Sequence, residues 1–169
     1  MIREGLGQAI IARVQSDTGS GGIWQTAGTY KLKSVGHIRG PRTTTALPLT
    51  TLCPYLVFTI ETDVQLDGYA YDMFEANIDF HVWDVAESTV SAVRSLTIVE
   101  RLFGDGIAQS TRIPSYGFHR HTLVLTTTGH ASAPWSAGQM QRVGSAQAHE
   151  DDVYHWIETY RVNVSRVRT

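Results

Sequence analysis

Apolar residues at spacings of three and four open the chain: Ile2, Leu6, Ala9, Ile10 and Val14, with Ala12 or Arg13 between them. This period predicts an amphipathic helix over residues 1–16, ended by Ser16-Asp17-Thr18-Gly19 and weakened in its first turns by Gly5 and Gly7. The period changes at Cys53-Pro54-Tyr55-Leu56-Val57-Phe58-Thr59-Ile60-Glu61, a β-branched and aromatic run behind a proline that cannot donate to a sheet ladder and so belongs at the strand's start. A second strand follows at 76–84, where Ile78, Phe80 and Val82 alternate with Asp79, His81 and Trp83, the pattern of a half-buried antiparallel strand. Asp84 and Glu87 then resemble a capping pair for a helix beginning at about Val85. Its apolar series is Ala86, Val90, Val93, Leu96 or Thr97, Ile98 or Val99, and Leu102, and Gly104-Asp105-Gly106 ends it.

Residues 118–128 read as a threonine-rich strand with His119, His121, Leu123 and Leu125 on one face. Val153 to Val167 reads as a last strand that sets Tyr154, Trp156, Glu158, Tyr160, Val162 and Val164 against His155, Ile157, Thr159, Arg161 and Asn163. A strand of that length is expected to run past its sheet edge or to bend at a bulge. Two segments lack a clear period. Residues 17–52 are rich in glycine and threonine, with short strand pieces at Ile23-Trp24 and Tyr30-Lys31-Leu32-Lys33-Ser34-Val35, and read as an extended arm or irregular hairpin punctuated by Pro41 and Pro48. Residues 129–150 read as a polar loop, too long to be a mere connection. The expected core is Tyr55 or Leu56, Phe58, Ile60, Ile78, Phe80 and Val82, with Val90, Val93 and Leu102 packed on it.

At 169 residues the chain is the size of one domain, 1–169, long enough to bury a core. Charged residues make up 18%, below the roughly 25% of ordinary soluble domains. That composition suits a subunit that hides part of its surface against neighbours. The formal net charge of −2 and the presence of only two lysines, Lys31 and Lys33, argue against general binding to a nucleic-acid backbone. Arginines gather at Arg39 and Arg42 and again at Arg161, Arg166 and Arg168, as solvated flanks or a small positive patch. The lone Cys53 excludes an intrachain disulfide and is expected to be a buried thiol at a strand start. No signal-like apolar stretch and no run of about 18 apolar residues occurs, so a soluble protein made in the cytoplasm is expected.

Candidate chemistry is thin. His119 and His121 alternate on one strand and could orient two imidazoles alike, with His81 a third ligand and His149 or His155 a fourth, but no metal-binding motif accompanies them. No G-x-S-x-G turn is present, and Gly19-Ser20-Gly21-Gly22 lacks the flanking elements of a phosphate cradle. No catalytic, metal or cofactor residues are therefore assigned. Trp83 and Trp156 fall in strands. Trp24 and Trp135 fall in the two long excursions, where each can act as a core residue or as an anchor docked on a neighbouring subunit. Trp24, Arg39, Arg42 and Trp135 are the candidate assembly residues.

The order of elements, together with Pro54-Tyr55-Leu56-Val57-Phe58, Ile78-Asp79-Phe80-His81-Val82-Trp83-Asp84, Leu102-Phe103-Gly104-Asp105-Gly106 and residues 152–164, resembles the tail terminator, or tail completion, proteins of long-tailed bacteriophages and related tailed particles. The resemblance covers most of the chain from about residue 53 onward and the N-terminal helix. It implies an α+β fold, a mostly antiparallel sheet packed by two helices with long arm and loop excursions, and a ring-forming subunit. A hexameric ring at the head-proximal end of the tail tube would stop tube polymerisation and join the head. Its implied partners are its own copies, the major tail tube protein and a head-completion or connector protein. DNA would pass through the ring lumen without specific nucleic-acid binding, and no membrane or cofactor is implied. The implied location is the virion tail or neck. Two alternatives stay open: another neck ring protein, either a head-tail connector or a stopper, and a small metal-dependent hydrolase built on the histidines.

Overall fold

A computed structural model of the chain describes residues 2–18, 24, 32–39, 44, 48, 52–65, 71–85, 102, 136–138, 140–150 and 153–167. Helix α1 spans Ile2–Ser16. Its stripe Leu6, Ala9, Ile10 and Val14 is buried, as the spacing predicts. The stripe lies on the sheet beside Phe58 and Ile60, both part of the same core cluster. A Cβ at Gly7 would meet the Phe58 ring at 3.8 Å, ordinary van der Waals contact, so this glycine faces the sheet without being required there. Ser16 Oγ donates to the Arg13 carbonyl at 2.8 Å and so closes the last turn.

Six strands form one mixed sheet: β1 (Ser34–His37), β2 (Tyr55–Gln65), β3 (Tyr71–Val85), β4 (Ser136–Ala137), β5 (Gln141–Glu150) and β6 (Val153–Val167). The lateral order is β1, β2, β3, β6, with β4 and β5 sharing the far side of β6. Among these six strands only the β1 and β2 pair is parallel. β1 lies inside the segment expected to be an arm, where Leu32 is fully buried in the main core.

Strand alternation divides the sheet into two faces. Leu56, Phe58, Ile60, Ala76, Ile78, Phe80, Val82, Tyr160, Val162 and Val164 point to the α1 side and form the main core, joined by Met140 and Leu102. This decides between Tyr55 and Leu56. Leu56 is the core residue, whereas Tyr55 is buried on the opposite face with Cys53, Val57 and Val153. Phe80 is the centre of the main core, with Phe58 at 6.3 Å and Tyr160 edge-on at 5.6 Å between ring centroids.

Three expectations need correction. Val85 does not open a helix: β3 runs through it to pair with Val153, and Asp84 is a strand residue only 1% exposed. Cross-strand pairing with β6 outweighs the local capping signal, and the remainder of the second helix lies outside the described residues apart from buried Leu102. The 129–150 loop is corrected over its second half, because 141–150 is a full edge strand antiparallel to β6 and 136–137 is the short β4. The long last strand neither overhangs nor bulges against β3, since β3 is equally long and pairs with it in unbroken register from Tyr71↔Val167 to Val85↔Val153. The irregularities lie instead between Thr62 and Val64 of β2 and between Arg142 and Gly144 of β5. The strand expected at 118–128 lies outside the described residues.

Candidate assembly surface

Among the described residues, the polar and aromatic groups outside the main core gather on the face turned away from α1 and at the two flanks of the sheet. That face is built from the odd positions of β3 and β6. Here the Trp83 and His155 rings stack at 4.0 Å, His155 and His81 stack at 5.0 Å, and Tyr55 stacks on Trp83 at 6.0 Å. A ring nitrogen of each imidazole meets the other, His81 Nδ1 to His155 Nε2 at 2.7 Å. Burial and the charge of His81 push the His155 pKa down to about 4, and burial lowers that of His81, partly offset by Asp79. Neutral imidazoles are thus favoured at pH 7. Beside them Thr159 Oγ1 donates to Asp79 Oδ1 at 2.6 Å. Further along this face Arg161 Nε approaches Glu75 at 3.3 Å, while on the α1 side, at the end of the same two strands, Arg166 Nε holds Asp72 at 2.7 Å.

The β5 flank is held by a charge on the other face. Glu158 sits directly opposite Phe80 in the core row of β6, and its side chain is fully buried. Arg142 Nε donates to Glu158 Oε2 at 2.6 Å and Ser145 Oγ donates to Oε1 at 2.7 Å, so two residues of β5 serve both carboxylate oxygens. The carboxylate thereby pins β5 to β6 on either side of the bulge. The bulged residue, Val143, is 46% exposed. From Val143 to Ala148 the strand carries only Val, Gly, Ser, Ala and Gln, and among the described residues no strand pairs with its outer side. Natural edges are normally blunted by lysine, proline or inward charge. Among the described residues this one is blunted by its bulge and by the inward-turned Arg142 at its start, and its stretch 143–148 carries no charge.

The β1 flank ends in a sharp reversal. Ile38 N donates to the Phe58 carbonyl at 2.9 Å, and Ile38 then adopts φ 68°, an uncommon left-handed conformation for a β-branched residue. Gly36 is required by this turn, because a Cβ there would collide with the Arg39 carbonyl oxygen. Ile38 is 65% exposed, and Arg39 beside it is also exposed.

Of the residues singled out from the sequence, Arg39 therefore lies at a sheet flank. Trp24 is partly buried against the main core and bridges to Leu32, while Arg42 and Trp135 lie outside the described residues. Sequence reading missed the β5 edge and the Glu158 anchor. Their one signal was Glu158 itself, a carboxylate in the apolar row of Tyr160, Val162 and Val164 that demands a basic partner. His119 and His121 lie outside the described residues. Among the described residues no group of three or more His, Cys, Asp or Glu side chains could hold a metal ion, and no helix is long and apolar enough to cross a membrane.

No family model matches the chain, and no curated protein matches it. Among solved structures it is similar to a chain of the virion of a native gene transfer agent particle, at 12% identity and a TM-score of 0.61, over 95% of this chain and 94% of that one. At that identity the likeness establishes a shared fold over essentially the whole length.

Proposed function

We propose that this chain is a structural virion protein of a tailed, phage-like particle: a tail terminator that closes as a hexameric ring on the head-proximal end of the tail tube. The observation that carries the reading is the end-to-end fold likeness to a chain of a gene transfer agent virion. An edge strand whose stretch 143–148 is uncharged and, among the described residues, unpaired on its outer side supports it on a charge-poor subunit, since such an edge suits pairing with another protein chain. The mechanism is steric. One face of the ring matches the last layer of tube subunits and the other presents a different surface to the head-completion protein, so no further tube subunit adds. Copies of one chain related by rotation make heterologous contacts that close on themselves. Trp24, Arg39, Arg42 and Trp135 contribute to these assembly contacts, and DNA passes through the lumen without sequence-specific binding.

Loss of this chain from a producing cell tests the role through tail length. The terminator reading expects overlong tube polymers and tails without heads, visible by electron microscopy and reversed by complementation. Tails of normal length that fail to join heads or to retain DNA would identify a connector or stopper instead. A particle map with this chain in three-, five- or twelvefold packing would overturn the hexamer.

A further inference from the structure

The described residues leave two large hydrophobic side chains exposed, and each marks one flank of the sheet: Ile38 at the end of β1 and Val143 at the bulge of β5. Strand directions add a constraint. β1 runs with β2, β2 against β3, β3 against β6 and β6 against β5, so β1 and β5 point in opposite directions at the two ends of the sheet. If a second copy extends the sheet with the same face inward, its β1 necessarily meets this β5 antiparallel, the more favourable pairing mode.

From this juxtaposition we infer that neighbouring copies of this chain join flank to flank, the β5 edge of one subunit accepting the β1 edge of the next, with Ile38 packed against Val143. The proposal rests on the ring reading and specifies its contact. Charge supports the register as well as shape. Ile38 opposite Val143 in an antiparallel pair sets Lys33 opposite Ala148, two positions short of the acidic run Glu150-Asp151-Asp152, with Lys33 exposed at the other end of β1. The contact is heterologous, because the two edges differ in length, sequence and direction. Repeated by rotation it closes a ring in which both described sheet edges are paired, which answers how an edge strand with an uncharged stretch at 143–148 persists in this chain.

The test uses the full-length chain carrying Ile38→Cys, Val143→Cys, or both, and a short bis-maleimide that tolerates a small error of register. Native Cys53 stays silent at neutral pH because it is buried, with its thiol pushed up to about 11 by burial and by Asp84 against the opposing pull of Lys33. Co-expressed single variants, concentrated until light scattering reports oligomers, should yield a covalent dimer containing one of each. The double variant should yield a ladder up to the full ring. Val143→Lys should lower the oligomeric fraction at an unchanged far-UV circular dichroism spectrum. A dimer from Val143→Cys alone would mean a two-fold β5 to β5 contact and would overturn the proposal. So would rings that form without mixed cross-links, although the ring reading would then stand. A chain that is monomeric by light scattering at every concentration and absent from particle rings would sink the ring reading and this contact together.

Discussion

Replacing Arg142 with alanine should destabilise this fold far more than its partly exposed position at an edge suggests. The Arg142 side chain is 20% exposed, but its partner Glu158 is 0% exposed and faces Phe80 across the sheet. Removing the guanidinium leaves a buried carboxylate with the single neutral Ser145 hydroxyl for company. Breaking a buried ion pair from one side costs about 3–5 kcal/mol. The partial exposure of Arg142 admits some water, so a value near 3 kcal/mol is expected. For a chain of this size that is a fall of roughly 6–12 °C in Tm. Removing both charges in favour of shape, with Arg142→Leu and Glu158→Leu together, should cost far less, about 0–1 kcal/mol, because no charge is then stranded. Urea unfolding of the wild type, Arg142→Leu, Glu158→Leu and the double leucine variant, followed by far-UV circular dichroism, gives the coupling directly. A coupling below about 0.5 kcal/mol, or an Arg142→Ala variant with unchanged midpoint, would refute the reasoning that the buried Glu158 depends on Arg142.

Phe80→Ala removes the ring between Phe58 and Tyr160 and should cost about 3–5 kcal/mol in the same assay; unchanged melting would mean that the core face is misassigned. Trp24→Ala should cost about 2 kcal/mol, roughly half the figure for a fully buried tryptophan, because Trp24 is only partly buried against the main core. A variant that keeps full stability but loses assembly would make Trp24 purely an interface residue. The imidazole pair predicts a pH dependence. The His155 pKa is depressed in the folded state to about 4 from 6.5, so between these values the unfolded chain binds more protons and stability falls as pH falls. After allowance for solvent reaching the partly exposed His81 beside it, the loss is about 1–2 kcal/mol, and His155→Phe should flatten that part of the pH profile.

What was legible in the sequence follows from where the information is stored. The buried stripe of α1 and the core row of β3 appear as spacing, because Leu6, Ala9, Ile10 and Val14, or Ile78, Phe80 and Val82, each meet one apolar surface. β5 carries no such record. Its residues 143–148 are small or neutral, its outer side is free among the described residues, and its strand state is imposed by the long partner β6. The same non-local pairing draws Val85 into β3 against the capping signal of Asp84 and Glu87. Of the assembly surface, only Arg39 was singled out beforehand. Ile38 and Val143 are lone aliphatic residues in polar runs, and their exposure emerges only when the turn after β1 and the bulge in β5 are in place.

An edge strand of small side chains has little burial of its own to keep it in place, yet a subunit that offers that edge to another chain must present it in fixed register. The Glu158 anchor supplies that fixation. It grips β5 at Arg142 and Ser145, on both sides of Val143, while only two residues separate Glu150 from Val153 at the other end. Ser145→Ala tests this division of labour, since it removes one hydrogen bond to a charged oxygen, worth about 1.5–3 kcal/mol, and leaves the ion pair. If the bond acts locally, amide hydrogen exchange in β5 should accelerate by roughly ten- to hundredfold, each 1.4 kcal/mol being a factor of ten, while the amides of β3 retain their protection. Equal acceleration of β3 and β5 would show that β5 opens only when the whole sheet unfolds, and unchanged exchange in β5 would show that Ser145 contributes nothing to holding the edge.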